Sequence, residues 1–369
     1  MKQAARQWNK EVHRIFEENN YVQSSNDRCL YYKTDQENTN YVLIHVDDIL
    51  MASNSEAMMT ELQVNMNREF ELKDLGDVKI FLGIEIEKDE FGNFMINQEK
   101  YIDEVVIKSG LEDSKFSKYP LDPGYEKLVS TEKLGDNKEY QKLIGMLLYI
   151  STNTRPDISA SVSILSQKIK DPTKIDLNEV KRIIKYLKGT KNLKLRLSNK
   201  AGNLSLHGYS DANWAENKVN RKSNSGYICL VNGGTVNWAC RRQDCVSLSS
   251  TEAEYIALAE TVKDMMWIRN ICRDFKIVNQ EPVKIYEDNQ SCIKMTENLK
   301  FSNRTKQNDT KYHFIKDLRE KKEVIVVPVK VKETKTFQDP TEKKPTSIVL
   351  DDKGVKVETK KVDVVIKKP

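Results

Sequence analysis

The chain has no run of about 18 apolar residues, so the sequence predicts no membrane-spanning helix. Its first twenty residues are charged throughout and lack the apolar core of a secretory signal peptide. These two absences predict an intracellular protein, in the cytoplasm or the nucleus, without a membrane partner. With 369 residues, 38% of them hydrophobic and 31% charged, the chain is long enough for two or three domains.

Close cysteine pairs are also missing. The six cysteines are scattered without a Cys-x-x-Cys motif, and Cys240 and Cys245 have neither a second close pair nor a nearby histidine. Structural zinc sites need four such ligands at short spacing. The sequence therefore predicts reduced thiols and no zinc site.

Most of the chain has no excess of either positive or negative charge. The net charge of +5 comes from residues 321–369, which hold 13 lysines and 8 acidic residues, whereas residues 1–320 hold 47 basic and 47 acidic residues. Total charge gives no argument for nucleic-acid binding by the body, so only a local basic patch would provide one. The tail alternates valine with charge and has little apolar bulk, which predicts weak order.

The first third of the sequence favours a small sheet with helices. Residues 29–33 and 41–46 are rich in β-forming residues and predict a hairpin whose second strand leads into a tight bend at Asp47 and Asp48. Two adjacent carboxylates in an otherwise apolar run are costly unless a cation compensates their charge. Residues 81–98 predict two more strands around a turn.

Helical spacing dominates residues 138–190, and strand-like alternation begins at about residue 192. A long helix is predicted from Ser249 to about Phe275, with Ser249 and Glu252 as a capping box. The C-terminal order of three strands, helix, strand and helix predicts an α/β (α+β) fold with a mixed sheet.

Four carboxylates stand at strand ends and helix starts in this C-terminal part, where they can converge on one edge of a sheet. Oxygen-only clusters favour Mg²⁺ or Mn²⁺, and two such ions support phosphodiester cleavage. Each residue also has an ordinary alternative: Glu252 and Glu254 would favour a helix N-terminus, and Asp288 would serve as a cap. Spacing alone leaves both interpretations open. The four candidates are Asp211, Glu254, Asp288 and Asp309.

Several long motifs resemble one family in the right order. "GYSDANWA", "SSTEAEYIALAE", "YEDNQSC" and "NRTKQNDTKYHFIKD" resemble the ribonuclease H domain of Ty1/copia-type retrotransposon polyproteins. "YQKLIGMLLYISTNTRPDISASVSILSQ" is similar to the segment that connects this domain to the polymerase. "HVDDIL" and "FELKDLGDVKIFLGIEI" resemble the end of the reverse transcriptase. The resemblance covers about residues 1–320.

The resemblance implies a domain order and roles for named residues. Asp211, Glu254, Asp288 and Asp309 match the family's metal-binding carboxylates, which implies Mg²⁺ (or Mn²⁺) and an RNA–DNA hybrid as substrate. Asp47 and Asp48 match the polymerase palm pair. The expected domains are a truncated reverse transcriptase palm and thumb remnant (1–112), a linker and helical connection (113–194), a ribonuclease H-like mixed-sheet domain (195–320) and a basic, weakly ordered tail (321–369).

Trp214, Trp238, Arg241 and Arg242 are candidates to contact the backbone of a hybrid. The tryptophans fit a core equally well, and the arginine pair fits a solvated turn.

The sequence departs from the family pattern in places. Gln307 replaces a histidine near Asp309, Asn213 stands where many relatives have a second aspartate, and His45 replaces an aromatic residue before the palm pair. The polymerase's third carboxylate lies upstream in the family and has no match here. We therefore expect a Pol fragment with ribonuclease H activity and no polymerase activity of its own, with other Pol fragments or a complete Pol polyprotein as further partners. The alternative is a catalytically inactive remnant or nucleic-acid-binding scaffold.

Overall fold

The computed structural model describes residues 2–128, 132–198, 204–215, 220–277, 281–297, 309–329 and 361–367. Three sheets of six, four and five strands are formed in this part of the chain, each with its own apolar core. The fold is α/β (α+β), as predicted. Among the described helices, none is both long and apolar enough to cross a membrane.

The N-terminal unit is a six-stranded sheet with two helices. The predicted hairpin is confirmed, and the next strand follows after a two-residue turn. Ser55 caps the second helix by accepting a hydrogen bond from the backbone N–H of Met58. The elements are α1 (Lys2–Glu18), β1 (Val22–Gln23), β2 (Leu30–Asp35), β3 (Asn38–His45), β4 (Asp48–Ser53), α2 (Glu56–Asn67) and β5 (Leu72–Asp77).

The middle unit combines a four-stranded sheet with four helices. Arg155, only 3% exposed, joins the start of one helix to the end of another, because it pairs with Asp157 and donates to the carbonyl oxygen of Thr190. The elements are β6 (Ile80–Phe81), β7 (Ile84–Lys88), β8 (Phe94–Asn97), α3 (Glu99–Lys108), α4 (Lys138–Asn153), α5 (Ser159–Ser166), α6 (Lys174–Gly189) and β9 (Leu195–Leu197).

The C-terminal unit has five strands in the order β12-β11-β10-β13-β14, with helices on one face. β10 pairs antiparallel with β11 and parallel with β13, so the sheet is mixed. The elements are β10 (Leu206–Asn213), β11 (Asn224–Val231), β12 (Gly234–Arg242), α7 (Ser250–Asp274), β13 (Val283–Glu287), α8 (Gln290–Glu297), α9 (Asp309–Glu320) and β14 (Val324–Pro328).

The boundaries of the units differ from the sequence prediction. The apolar face of α3 shares a core with α4 and α6, so the strands and helix over residues 80–108 belong with the middle unit and not with the first 112 residues. β9 pairs with β8, which moves the start of the C-terminal unit beyond residue 195. Gly234 of β12 lies close to β9, and a Cβ there would be 2.8 Å from the backbone nitrogen of Ser198.

Two segments of the expected tail are strands. β14 pairs parallel with β13 inside the C-terminal sheet, so the boundary predicted at residue 320 falls one strand too early. β15 (Lys361–Lys367) lies between β4 and β5 in the N-terminal sheet. The sequence predicted weakly ordered strands or disorder in this tail. It did not assign either strand to a sheet, because their partner strands lie far away in the sequence. Residues 330–360 lie outside the described residues.

The end of α7 joins the C-terminal unit to the N-terminal unit. Asp274 accepts hydrogen bonds from the Ser24 hydroxyl (2.6 Å), the Ser25 backbone N–H (3.1 Å) and the Asn26 amide (2.9 Å). Next to it, the ring of Phe275 packs against Tyr41, with ring centroids 4.6 Å apart. We call this contact the α7 clasp.

Candidate active site

Two neighbouring parallel strands bring Asp211 and Asp288 to one end of the C-terminal sheet. In the register of β10 and β13, Tyr209 lies opposite Tyr286, and each aspartate follows its tyrosine by two residues. Side chains two residues apart leave a strand on the same face. The two carboxylates therefore lie side by side at the same sheet edge.

Glu254 approaches this edge from α7. The hydroxyl of Ser249 caps the helix by accepting from the Glu252 backbone N–H at 3.2 Å, and the Glu252 carboxylate accepts from the Leu248 backbone N–H at 2.7 Å. The predicted capping box is thus modified, since Glu252 bonds one residue before the cap. The Glu252 carboxylate is used in the hydrogen bond at the start of the helix, whereas the Glu254 side chain turns inward and is 7% exposed.

The three carboxylates form one cluster. One oxygen atom from each of Asp211, Glu254 and Asp288 lies within 4.8 Å of the others. Asp211 and Asp288 are exposed, so the cluster is open to solvent on one side and closed by Glu254 on the other. Within the described residues, no other group of three His, Cys, Asp or Glu side chains comes together in this way.

The electrostatics of the cluster are those of uncompensated negative charge. Burial, followed by repulsion from Glu287, Asp211 and Asp288, raises the pKa of Glu254 to about 8. Burial and the charge of Asp288 also raise the pKa of Asp211. The Oε2 atom of Glu254 is buried without a hydrogen-bond partner. A divalent cation would supply the missing partner and relieve the repulsion, so this oxygen-only donor set fits a hard metal ion.

Glu287 is a fourth acidic group at the site, and sequence reasoning missed it. It is fully buried, its Oε1 atom accepts from the Asn289 backbone N–H at 3.1 Å, and its Oε2 atom has no partner. Burial is the main cause that raises its pKa to about 7. Strand alternation could have found it, because Glu287 shares the helix-facing side of β13 with Val283 and Ile285.

The other predicted pair, Asp47 and Asp48, lies at the turn between β3 and β4 in the N-terminal unit. Val46 in this turn has φ of +54°, which is strained for a β-branched residue. The indole N–H of Trp8 donates to the carbonyl oxygen of Val46 at 2.6 Å and holds the turn. In the part of the chain that the structure describes, no third potential ligand joins the pair.

Comparison with known proteins decides the family. The family model for reverse transcriptase (RNA-dependent DNA polymerase) matches residues 1–123. The retrovirus-related Pol polyprotein from transposon TNT 1-94 of Nicotiana tabacum is 32% identical over 90% of this chain and 26% of its own length. An uncharacterized mitochondrial protein of Arabidopsis thaliana is 36% identical over 62% of this chain and 93% of its own length.

The chain belongs to the Ty1/copia-type retrotransposon Pol polyprotein family. It spans about a quarter of the length of the tobacco Pol polyprotein that it matches. Among solved structures, it is similar to an RNase H1 isolated from compost, with 14% identity and a TM-score of 0.27 over 34% of this chain and 84% of that one.

Only the backbone of Asp309, the fourth carboxylate predicted for this Pol-family chain, is among the described residues. Asp309 begins α9, which packs against α7 and α8. Its side chain and Gln307 lie outside the described residues. The structure therefore brings together three of the four predicted ligands, and the role of Asp309 stays a prediction.

The residues predicted to contact nucleic acid lie in different surroundings in this Pol chain. Trp214 is 50% exposed beside the site, with its indole N–H donating to the carbonyl oxygen of Ser247 at 3.1 Å. Trp238 instead donates to the carbonyl oxygen of Ser151 at the contact with the middle unit. Arg241 and Arg242 are both exposed, but they point to opposite faces of β12.

Proposed function

We propose that the C-terminal unit of this Pol chain cleaves the RNA strand of RNA–DNA hybrids as a ribonuclease H. The observation that carries the proposal is the cluster of Asp211, Glu254 and Asp288, in which one oxygen of each residue lies within 4.8 Å of the others. The Oε2 atom of Glu254 is buried without a hydrogen-bond partner. The order of motifs that matches Pol polyproteins along most of the chain supports it.

Asp211, Glu254 and Asp288 would hold Mg²⁺ or Mn²⁺, and Asp309 is proposed as a further ligand. Bound divalent ions would activate a water molecule and stabilise the leaving oxygen in phosphodiester hydrolysis. The chain's own residues fix the position of the reaction. Asp211 and Asp288 project from the ends of adjacent strands, where the backbone is held by the sheet, and Glu254 closes the buried side.

The proposed substrate is read by shape and backbone. Duplexes that contain RNA present sugar hydroxyls and phosphates across a shallow minor groove, and proteins recognise them largely without base contacts. The half-exposed ring of Trp214, anchored beside Asp211, is placed to pack against a sugar of the bound strand. We propose an RNA–DNA hybrid as the nucleic-acid partner on this basis.

The test is cleavage of a labelled hybrid by the purified chain with Mg²⁺ or Mn²⁺. Asp211→Asn should remove hydrolysis while leaving the fold, because it removes one ligand charge and also relieves repulsion in the cluster. Asp113→Asn, at an exposed position in the middle unit, is the matched control and should cleave at the parental rate. Parental cleavage by the Asp211→Asn protein would refute the site.

The second candidate is a nucleic-acid-binding remnant without hydrolysis. The observation that favours it is the substitution of Gln307 for the family's histidine, together with the polymerase pair that lacks a third ligand within the described residues. A chain whose melting temperature rises with Mn²⁺ and that binds hybrid without cutting it would support this candidate. On this view, polymerase chemistry would require another Pol fragment or a complete Pol polyprotein.

A further inference from the structure

The two adjacent arginines of β12 have opposite electrostatic surroundings. Arg241 lies on the face covered by α7, where its positive charge acts on the carboxylate of Glu260 and on the phenol of Tyr227, which donates to Asp264. Arg242 lies on the other face, where its guanidinium donates to the Gln167 side chain at 3.4 Å. A guanidinium has five donors, so this single bond leaves most of the group available to a ligand.

The face of the sheet that carries Arg242 also carries Asp211 and Asp288, two of the proposed metal ligands. Arg242 pairs with Asn224 on β11, and Gly226, two residues along, pairs with Asp211 on β10. Ser210 and Tyr227, by contrast, lie on the buried side under α7. Two strand spacings and two residues along the strand place the backbone of Arg242 about 12 Å from that of Asp211.

The middle unit adds basic residues beside Arg242. α5 packs on β12, and the turn after α5 carries Gln167, Lys168 and Lys170. Both lysines are exposed, and no ion pair is formed by either of them within the described residues. Their acidic neighbour Asp171 is already paired with Lys133 at 2.6 Å. The positive charge of this turn is therefore not neutralised locally.

We propose that Arg242, Lys168 and Lys170 form one phosphate-binding surface that holds the hybrid on the metal face. The inference rests on the proposed ribonuclease H function and names the part of the chain that positions its substrate. The 12 Å from Asp211 corresponds to about three to four nucleotide steps at 3.4 Å of rise. A backbone whose phosphate lies at the carboxylates would thus cross Arg242 and the lysines a few nucleotides away. The middle unit and the C-terminal unit bind the same duplex, and neither carries the full surface alone.

Binding is measured by fluorescence anisotropy of a labelled hybrid over a range of salt concentrations. All proteins carry Asp211→Asn so that the hybrid stays intact. In this background we compare the triple variant Arg242→Gln, Lys168→Gln, Lys170→Gln with a control of equal charge, Arg68→Gln, Lys115→Gln, Lys118→Gln. Arg68 is exposed at the C-terminal end of α2 in the N-terminal unit. Lys115 and Lys118 are exposed near the C-terminal end of α6, about 24 Å from its start beside the basic turn.

The first triple variant should bind at least tenfold more weakly at low salt. The slope of log K against log salt should fall by about 2 to 3, because each lost phosphate contact contributes about 0.9. The control should keep the parental slope, and the variant Arg242→Lys, Lys168→Arg, Lys170→Arg should restore most of the binding. Equal affinities and slopes for the two charge-matched triple variants would overturn the proposal.

A cleavage assay separates this inference from the proposed function. If the parental chain does not cut the hybrid but the slope falls as expected, the surface stands and the ribonuclease H proposal fails. For this assay the triple substitution Arg242→Gln, Lys168→Gln, Lys170→Gln is made in the parental chain, with Asp211 intact. If both the parental chain and this variant cut the hybrid with the same KM, the surface is refuted and the ribonuclease H proposal stands. Melting curves of all variants report that each protein is folded.

Discussion

Glu252 and Glu254 lie two residues apart on α7, and the structure gives them different surroundings. Glu252 accepts a backbone hydrogen bond at the start of the helix, whereas Glu254 is buried among carboxylates. The sequence preference for Glu254 as the metal ligand came from the family pattern, since spacing alone allowed either residue. Side-chain direction at a helix start depends on the cap geometry, which a sequence motif specifies only loosely.

The raised pKa of Glu254 makes the stability of the metal-free protein depend on pH. Its folded-state pKa of about 8 exceeds its ordinary value of 4.5, so the folded state binds this proton more tightly than the unfolded chain. The stabilisation is complete below about pH 4.5 and is lost as the pH rises through 8. We expect the melting temperature without metal to fall from pH 5 to pH 8, and Glu254→Gln to flatten this fall.

The stabilisation by a divalent metal ion should grow with rising pH, opposite to the stabilisation by the Glu254 proton. Protons compete with a metal ion for the same carboxylates, so Mg²⁺ or Mn²⁺ should raise the melting temperature more at pH 8 than at pH 6. Glu254→Gln should reduce this rise, and Glu90→Gln, at an exposed turn, should leave it unchanged. A metal-induced rise that is equal at both pH values would contradict the assignment of this cluster.

At the level of elements, Arg155 is the residue that joins the helices of the middle unit. It makes a bidentate pair with Asp157 and also donates to the hydroxyl and carbonyl oxygens of Thr190 at the end of α6. Burial raises the pKa of Asp157, but the hydrogen bond and charge of Arg155 outweigh this and hold it below its ordinary value. The pair is therefore held in its charged form.

Replacing Arg155 with Met should destabilise the protein by about 1–3 kcal/mol, because the oxygens of Thr190 and the partly exposed carboxylate of Asp157 would lose a charged hydrogen-bond donor. Lys108→Met breaks only an exposed pair with Glu104 on α3, so its free energy of unfolding should stay close to the parental value. Urea unfolding followed by circular dichroism measures both values. Equal unfolding midpoints for the two variants would show that the Arg155 contacts contribute little.

Individual strands, turns and helices could be predicted from the sequence, but the strands with which they pair could not. The hairpin before Asp47, the turn at Gly92 and the long helix α7 follow from alternation, turn residues and capping. β9 was assigned to the wrong sheet because three residues of alternating pattern fit any open edge. The four acidic candidates were found by their motifs, but the buried Glu287 was overlooked because it lacked one.

At the scale of the whole molecule, the α7 clasp couples two units that are far apart in the sequence. The change Asp274→Ala with Phe275→Ala removes the bonds to the Ser24–Asn26 loop and the packing on Tyr41. We expect calorimetry to resolve two transitions in this variant, with the N-terminal unit melting first. Asp317→Ala, which breaks an exposed pair on α9, is the control and should leave the parental profile.

We also expect no primer extension by this chain alone with any template or divalent ion. Nucleotidyl transfer by two metals needs carboxylates on both sides of the metal pair, and Asp47 and Asp48 have no third ligand among the described residues. Incorporation of labelled nucleotides is the measurement. Extension by the purified chain that disappears in the Asp47→Asn, Asp48→Asn variant would prove this expectation wrong.

The number of residues in α7 is constrained by the contacts at its two ends, whichever residues lie between them. Glu254 near its start and Asp274 at its end are separated by about 30 Å of continuous helix, at 1.5 Å per residue. Inserting one residue between them would rotate Asp274 by about 100° around the helix axis, away from Ser24 and Asn26, and would leave the carboxylate cluster untouched. Relatives that keep both ends of α7 are therefore expected to tolerate substitutions along its exposed face while admitting insertions or deletions only outside this interval.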